Sequence, residues 1–327
     1  MELIRTHDGL FKFVFGEPEH LADLLRAVLP PAVAAAFDWT TLRPVPGSFV
    51  DEDLRKRHTD LLFEVDAGGV PTLVYFVSDH KSKDDPLTAW QIHGYVVRAL
   101  DRWRRDHPEA KSLPPVLAFV LYHGEKPWRS PQDLGELFDI GSLPAAAAEF
   151  LAPLQPRLRF LLLDLASIDE DRIEAMRLSA ATDLTLRFLQ FLRGAAPEAA
   201  ADLILGWQRL INQLLGDPRG SRVLFALFSW YLAGAKTGPE TLRTVMTKIH
   251  EENPPMRSLL DMLLEEGEER GVQKGSRRTL QTVLEARFGG IPVHLQQRVE
   301  AADANALQRW VLRALTAPNI DSVFADD

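Results

Sequence analysis

Apolar residues recur at helical spacing through PEHLADLLRAVLP, where Leu21, Leu24, Leu25 and Val28 make one stripe and Pro18 suits a first helical position. With THDGLFKFVF before it, the opening reads as two short helices, closed by Pro30 and Pro31. The period then changes. From Thr59 to Asp66, Leu61, Phe63 and Val65 alternate with Asp60, Leu62 and Glu64; Gly68 and Gly69 follow, and TLVYFVS resumes the strand pattern. That is a β-hairpin, with a loop expected to be somewhat longer than the tightest type. Asp84 and Asp85 precede Pro86, and LTAWQIHGYVVRALDRWRR carries Leu87, Trp90, Gly94 and Val97 at helical spacing, so a long helix follows the hairpin. PPVLAFVLYHG and RLRFLLLDL are short apolar runs of the kind that make buried strands.

Beyond Ile168 the pattern turns helical, through AADLILGWQRLINQLL, VLFALFSWYLA and LRTVMTKIHEE. A charged, glycine-punctuated stretch, MRSLLDMLLEEGEERGVQKG, leads to two or three short helices around a Gly289-Gly290 turn. No repeat period is present. The expected class is α/β: a mixed sheet flanked by helices, followed by an all-helical C-terminal region. The expected segments are 1–167 for the sheet domain, 168–275 for a helical extension and 276–327 for a small helical domain.

Composition narrows the class of protein. Hydrophobic residues are 46% and charged residues 25% of the 327, ordinary globular usage that argues against disorder and rods. The longest apolar runs fall well short of the ~20 residues that span a bilayer, and no leader-like N-terminus is seen, so a cytoplasmic protein off the membrane is expected. With no cysteine, disulfides, thiolate zinc sites and cysteine nucleophiles are excluded. The net charge of −9 excludes a chain-wide basic coat. It leaves room for a local one: residues 1–130 hold 16 Lys and Arg against 19 Asp and Glu, clustered at Arg55 to His58, at Lys81 and Lys83, and at Arg98 to Arg105.

The chemistry gathers at the hairpin. Asp79 and Lys81 share a strand face, and folding about the two glycines pairs residues whose numbers sum to roughly 137 to 139, which brings Asp60 within a residue or two of Asp79. Two carboxylates at one site repel unless a cation neutralises them, and few hard oxygen ligands select Mg²⁺. A lysine beside the metal can orient a water for attack on phosphate. This is the constellation of a metal-dependent phosphodiesterase. Gln91 and Tyr95, at i and i+4 on the following helix, share a face that can reach it. D-x-K alone is a weak pattern; the acid on the preceding strand, the glycine turn and the following helix give it weight.

These stretches together resemble the Rpn or YhgA-like, transposase-related proteins of the PD-(D/E)XK nuclease superfamily. THDGLFKFVF is similar to that family's HD-x-x-FK opening, and LRAVLP and GSFVDEDLRKRHTDLLFEV to its approach to the first catalytic strand. YFVSDHKS stands where the family commonly has E-H-Q-S, and PPVLAFVLYHGEKPW resembles its LP-x-V-x-x-x-LYHG-x-x-PW strand. Arg277 to Phe324, with LEARFGGIP, LQRW and SVF, is similar to a small domain of unknown function often fused to the family. The resemblance implies a restriction-endonuclease-like fold with Asp60 and Asp79 as metal ligands, His80 adding its backbone carbonyl, and Lys81 as the catalytic lysine. Gln91 and Tyr95 match a Q-x-x-x-Y pattern with a site-positioning or DNA-contacting role, and Arg57, His58 and Lys83 become candidate phosphate contacts. Asp79 replaces the family's usual Glu and Lys81 its Gln, which restores the superfamily's amine.

The function so implied is a Mg²⁺-dependent DNA endonuclease, with Mn²⁺ or Ca²⁺ as alternative occupants and no nucleotide cofactor. The competing reading is a non-catalytic interaction protein that keeps the nuclease fold as a scaffold, which the acidic net charge favours. The leucine stripe of Leu259, Leu260, Leu263 and Leu264 leaves two readings open, pairing with another copy as a homo-oligomer or packing within one chain.

Overall fold

The computed structural model describes residues 6–45, 59–79, 84–234 and 276–324. The chain divides into two compact units, Met1–Ile249 and His250–Asp327. The first opens with α1 (His7–Phe15), α2 (Pro18–Val28) and the single turn α3 (Pro31–Ala34). Thr6 caps α1 by accepting a hydrogen bond from the Gly9 N–H at 2.9 Å. Leu21, Leu24 and Leu25 are buried as their spacing requires.

A mixed five-stranded sheet follows, in the order β1 (Asp38–Pro44), β2 (Thr59–Ala67), β3 (Val70–Asp79), β4 (Val116–Tyr122), β5 (Leu161–Asp164). β1, β2 and β3 are antiparallel neighbours; β4 and β5 run parallel to β3. The long helix α4 (Thr88–Asp106) makes the crossover from β3 to β4. Ala67 pairs directly with Val70, so the hairpin loop is Gly68 and Gly69 alone, both at positive φ (63° and 88°). The loop is therefore the tightest type, shorter than its sequence suggested, and its mirror-image turn needs residues without Cβ. The Asp66 carboxylate accepts the Gly69 N–H at 2.7 Å and closes it.

The two sheet faces have separate cores. Leu62, Leu73, Tyr75, Val77, Ala118 and Val120 face α4, meeting Ala89, Ile92, Tyr95, Val96 and Ala99. On the other face Phe76 is wedged between Phe11 and Phe15 of α1, at ring distances of 4.6 and 5.4 Å, and stacks on Phe119 at 4.7 Å. The stripe by which α4 is recognised in the sequence is not the one it buries. Leu87, Trp90 and Val97 are exposed, and the small residues Ala89 and Ala99 with Ile92 and Val96 form the inner face.

The helical part of this unit includes α5 (Ala145–Leu151), α6 (Glu170–Ala175), α7 (Ala180–Arg187), α8 (Pro197–Gly206), α9 (Gln208–Leu215) and α10 (Pro218–Gly234). α7 and α10 pack on α1, and the Asp23 carboxylate of α2 accepts the Ser179 N–H ahead of α7 at 2.8 Å. Arg187 is buried between Asp183 and Glu170, bonding the latter at 2.6 Å. Burial pushes the Asp183 carboxyl above its ordinary range, against the pull of that guanidinium.

In the second unit, helices through 276–288, Val293–Ala301, Ala304–Thr316 and Ile320–Val323 enclose Leu280, Leu284, Leu295, Leu307, Trp310 and Phe324. Gly289 and Gly290, at φ 80° and 128°, turn the chain after the first of these, as the sequence predicts. The expected linking helix Met256–Gly275, with its leucine stripe, lies outside the described residues. Among the described residues no helix is long and apolar enough to cross a membrane.

Phe76 is fully buried and touches three other rings, so Phe76→Ala leaves a cavity that both layers border. A loss of about 3–5 kcal/mol is expected, read as a lowered urea midpoint with unchanged slope.

Candidate metal and phosphate site

The hairpin register sets the candidate ligands. Asp60 stands opposite Val77, and Asp79 stands two positions further along β3, opposite Tyr122 of β4. Because strand positions alternate between faces, positions 60, 77 and 79 belong to one face, the one α4 covers. Diagonal neighbours of this kind have Cα atoms about 7–8 Å apart. The expected pairing of Asp60 with the Asp79 end of β3 is therefore present in the backbone. Arg57, His58, His80, Lys81 and Lys83 lie outside the described residues.

α4 begins beside this strand end. Asp85 nucleates it: one carboxylate oxygen accepts the Leu87 N–H at 2.9 Å and the backbone carbonyl accepts the Thr88 N–H at 3.0 Å. The other carboxylate oxygen takes the Gln91 side-chain amide at 2.9 Å, so Gln91 ties the first turn of α4 to the loop before it. Tyr95 is 6% exposed, its ring 5.5 Å from Tyr75 with the Arg98 guanidinium 5.9 Å above it. Gln91 and Tyr95 thus share the helix face toward the site, Gln91 half-buried near the helix start and Tyr95 inside the core.

The segment after β4 builds the rim. Gly124 admits no side chain, since a Cβ there would fall 2.0 Å from the Tyr122 hydroxyl oxygen. Trp128 packs edge-on against Tyr122 at 5.0 Å and Phe160 at 5.9 Å, and its backbone N–H reaches Asp164 at 2.9 Å. The Asp84 carboxylate accepts the N–H groups of Arg129, at 2.9 Å, and Ser130, pinning the approach to α4 onto this rim. Burial works to raise the Asp84 pKa, but the hydrogen bonds from Ser130 and Arg129 outweigh it and hold the carboxyl below its usual value. Sequence reasoning took Asp84 and Asp85 only as residues ahead of a proline; the paired acids before a helix start were the available signal.

On the opposite face of the sheet the His7 ring lies 5.0 Å from His123 and 5.1 Å from Trp230 of α10. His123 is buried, 3.4 Å from the Ser78 hydroxyl, and its carbonyl accepts from Arg193 at 2.8 Å. His7 of the HD opening is accordingly packed behind the strand end that carries Asp79. Among the described residues no three His, Asp or Glu side chains gather as a metal site.

A mixed five-stranded sheet, with a long crossover helix between β3 and β4, defines an α/β protein. The family model described as "Putative transposase, YhgA-like" matches residues 5–205, more than half of the chain, and the chain belongs to that family. It is 28% identical over 278 residues to the recombination-promoting nuclease RpnA of Escherichia coli K12, covering 80% of this chain and 89% of that protein. It is 26% identical over 274 residues to the inactive recombination-promoting nuclease-like protein RpnE of the same strain, covering 82% and 85%. RpnD of Escherichia coli O157:H7 matches at 31% over 125 residues, 37% of this chain and 48% of that protein. No solved structure matches the chain.

Asp84 supports a pH prediction. Because its folded pKa is depressed below the ordinary 3.8, its contribution is complete above that value and is lost as pH falls through the folded pKa. Asp84→Asn should lower stability at pH 7 by about 1 kcal/mol, the lower end for hydrogen bonds to a charged group that is partly exposed. The gap between parent and variant should close below pH 3.8, as followed by denaturant titration across the acid range.

Proposed function

We propose that the chain is a divalent-metal-dependent DNA endonuclease that hydrolyses phosphodiester bonds with an activated water. The observation that carries this reading is the common face of positions 60 and 79 at the strand end where α4 begins. Two carboxylates at neighbouring register positions form a small set of hard oxygen donors, which suits Mg²⁺ with its retained waters. Asp60 and Asp79 would hold the ion, with the His80 backbone carbonyl as a further donor. When bound, the ion supplies positive charge for the phosphate and lowers the pKa of a coordinated water. Lys81 orients the attacking water and offsets charge that grows on the phosphate oxygens. Gln91, through Asp85, and Tyr95, through Tyr75, position the strand end and helix start around the reacting group. Arg57, His58 and Lys83 hold the flanking phosphates.

A second reading has its own support: one of the relatives that matches most of the chain, RpnE, carries the word inactive in its name. In that reading the sheet is a scaffold and the protein acts by binding. The retained acids and Lys81 weigh against it, since a scaffold has no use for a lysine where the family commonly has Gln.

The test is nicking of supercoiled plasmid by purified protein with Mg²⁺, with and without EDTA. Asp79→Asn should abolish nicking and weaken binding of Ca²⁺ followed by calorimetry. Lys81→Met keeps the stem and removes the amine, so nicking should fall by roughly two to three orders of magnitude while Ca²⁺ binding persists. Parent protein that binds the ion and never nicks would hand the case to the scaffold reading.

A further inference from the structure

α4 spends apolar side chains on both of its faces. Its inner face is closed by Ala89, Ile92, Tyr95, Val96 and Ala99, yet Leu87, Trp90 and Val97 are 53%, 56% and 42% exposed on the outer one. A tryptophan more than half exposed at the site end of a helix is not explained by folding, because the core is complete without it. The same outer face continues C-terminally into Arg98, Arg104 and Arg105, with Asp101 among them, all exposed. α4 carries four arginines against Asp101 and Asp106 in a chain of net charge −9, so positive charge has been concentrated on this one helix.

We infer that the outer face of α4 is a track for an unpaired nucleic-acid strand, with a base stacked on Trp90 and phosphates running along Arg98, Arg104 and Arg105. The spacing suits a strand: Trp90 to Arg104 is about 21 Å at a rise of 1.5 Å per residue, the length of about six stacked nucleotides. Bases within a duplex have their faces covered, so an indole platform of this kind selects a strand that is open. A second copy of the chain fits less well. The three apolar side chains offer on the order of 300 Å², far below the ~800 Å² per partner of a stable dimer. The direction of the track also follows from the topology. α4 leaves β3 at the Asp79 end and travels to the start of β4, so Trp90 sits toward the candidate site and the arginines lead away from it. The inference deepens the nuclease reading by naming the form of its substrate, but the binding it describes needs no metal.

The experiment is fluorescence anisotropy of a labelled oligothymidylate and of a labelled duplex with the full chain in EDTA, alongside the Mg²⁺ nicking assay. Trp90→Ala should weaken single-strand binding about tenfold or more, the effect of one lost stacked base, leave duplex binding unchanged, and be largely rescued by Trp90→Phe. Replacing Arg104 and Arg105 together by Ser should reduce the slope of log affinity against log salt by about 1.4, or 0.7 per phosphate contact of a single strand. The inference is overturned if Trp90→Ala binds the single strand as the parent does, or if it weakens duplex equally. It also falls if light scattering finds a dimer that Trp90→Ala dissociates, since the second copy is then the occupant. A protein that binds as expected but never nicks loses the nuclease reading and keeps this one; nicking with Trp90→Ala indifferent does the reverse.

Discussion

The two-residue turn at Gly68 and Gly69 fixes the register on which the candidate site depends. Both residues need positive φ, and the turn has no slack, so every pairing from Ala67 with Val70 out to Thr59 with Ser78 follows from it. A slip of one residue would move Asp60 to the Phe76 side of the sheet and send Leu61 and Phe63 toward α4. The two aromatic and aliphatic cores oppose such a slip, because each face of β3 is buried by a different layer. The acids at the far end of the hairpin are thus located by a turn some ten residues away and by packing on both sides of the strand.

The hairpin, the parallel strands and the opening helices were legible because each has a single dominant signal: alternation, a short bounded apolar run, or a proline at a helix start. β1 was not. Its sequence DWTTLRP buries only Leu42, since an edge strand with one neighbour needs no continuous apolar face. The orientation of α4 was also hidden, for a related reason. Its inner face uses Ala89 and Ala99, small residues that let the helix approach the sheet, while the large apolar residues that dominate the pattern point outward. Periodicity finds a helix; it finds the buried face only when solvent-facing residues are polar, and here Leu87, Trp90 and Val97 are not.

Site residues divide in the same way. Position 60 could be placed within two residues of position 79 from residue numbers alone, because antiparallel register is arithmetic once the turn is located. The support around them could not. Asp84, Asp85 and Asp164 are spaced across the chain, and only the fold brings Asp84 to the N–H groups of Arg129 and Ser130 and Asp164 to that of Trp128. The LYHGEKPW stretch likewise owes its residues to packing: a glycine that the Tyr122 hydroxyl fills, and a tryptophan that closes the α4 core.

This bookkeeping of carboxylates bears on which acids are available for a cation. A carboxylate has about four acceptor sites, so each hydrogen bond it accepts from backbone and side-chain donors leaves fewer for a metal ion, which would compete with bonds that also hold loops in place. Asp84 receives two backbone N–H groups, Asp85 the Leu87 N–H and the Gln91 amide, and Asp164 the N–H groups of Trp128 and Ala166 with the Ser167 hydroxyl. Three acids near the strand ends are therefore structural, and they immobilise the loops on either side of the hairpin end. A metal-dependent hydrolase needs its ligands held by rigid, hydrogen-bonded surroundings. Asp84, Asp85 and Asp164 therefore anchor the segments around the strand ends, and an ion in the proposed site would rely on the pair that the proposal names, Asp60 and Asp79.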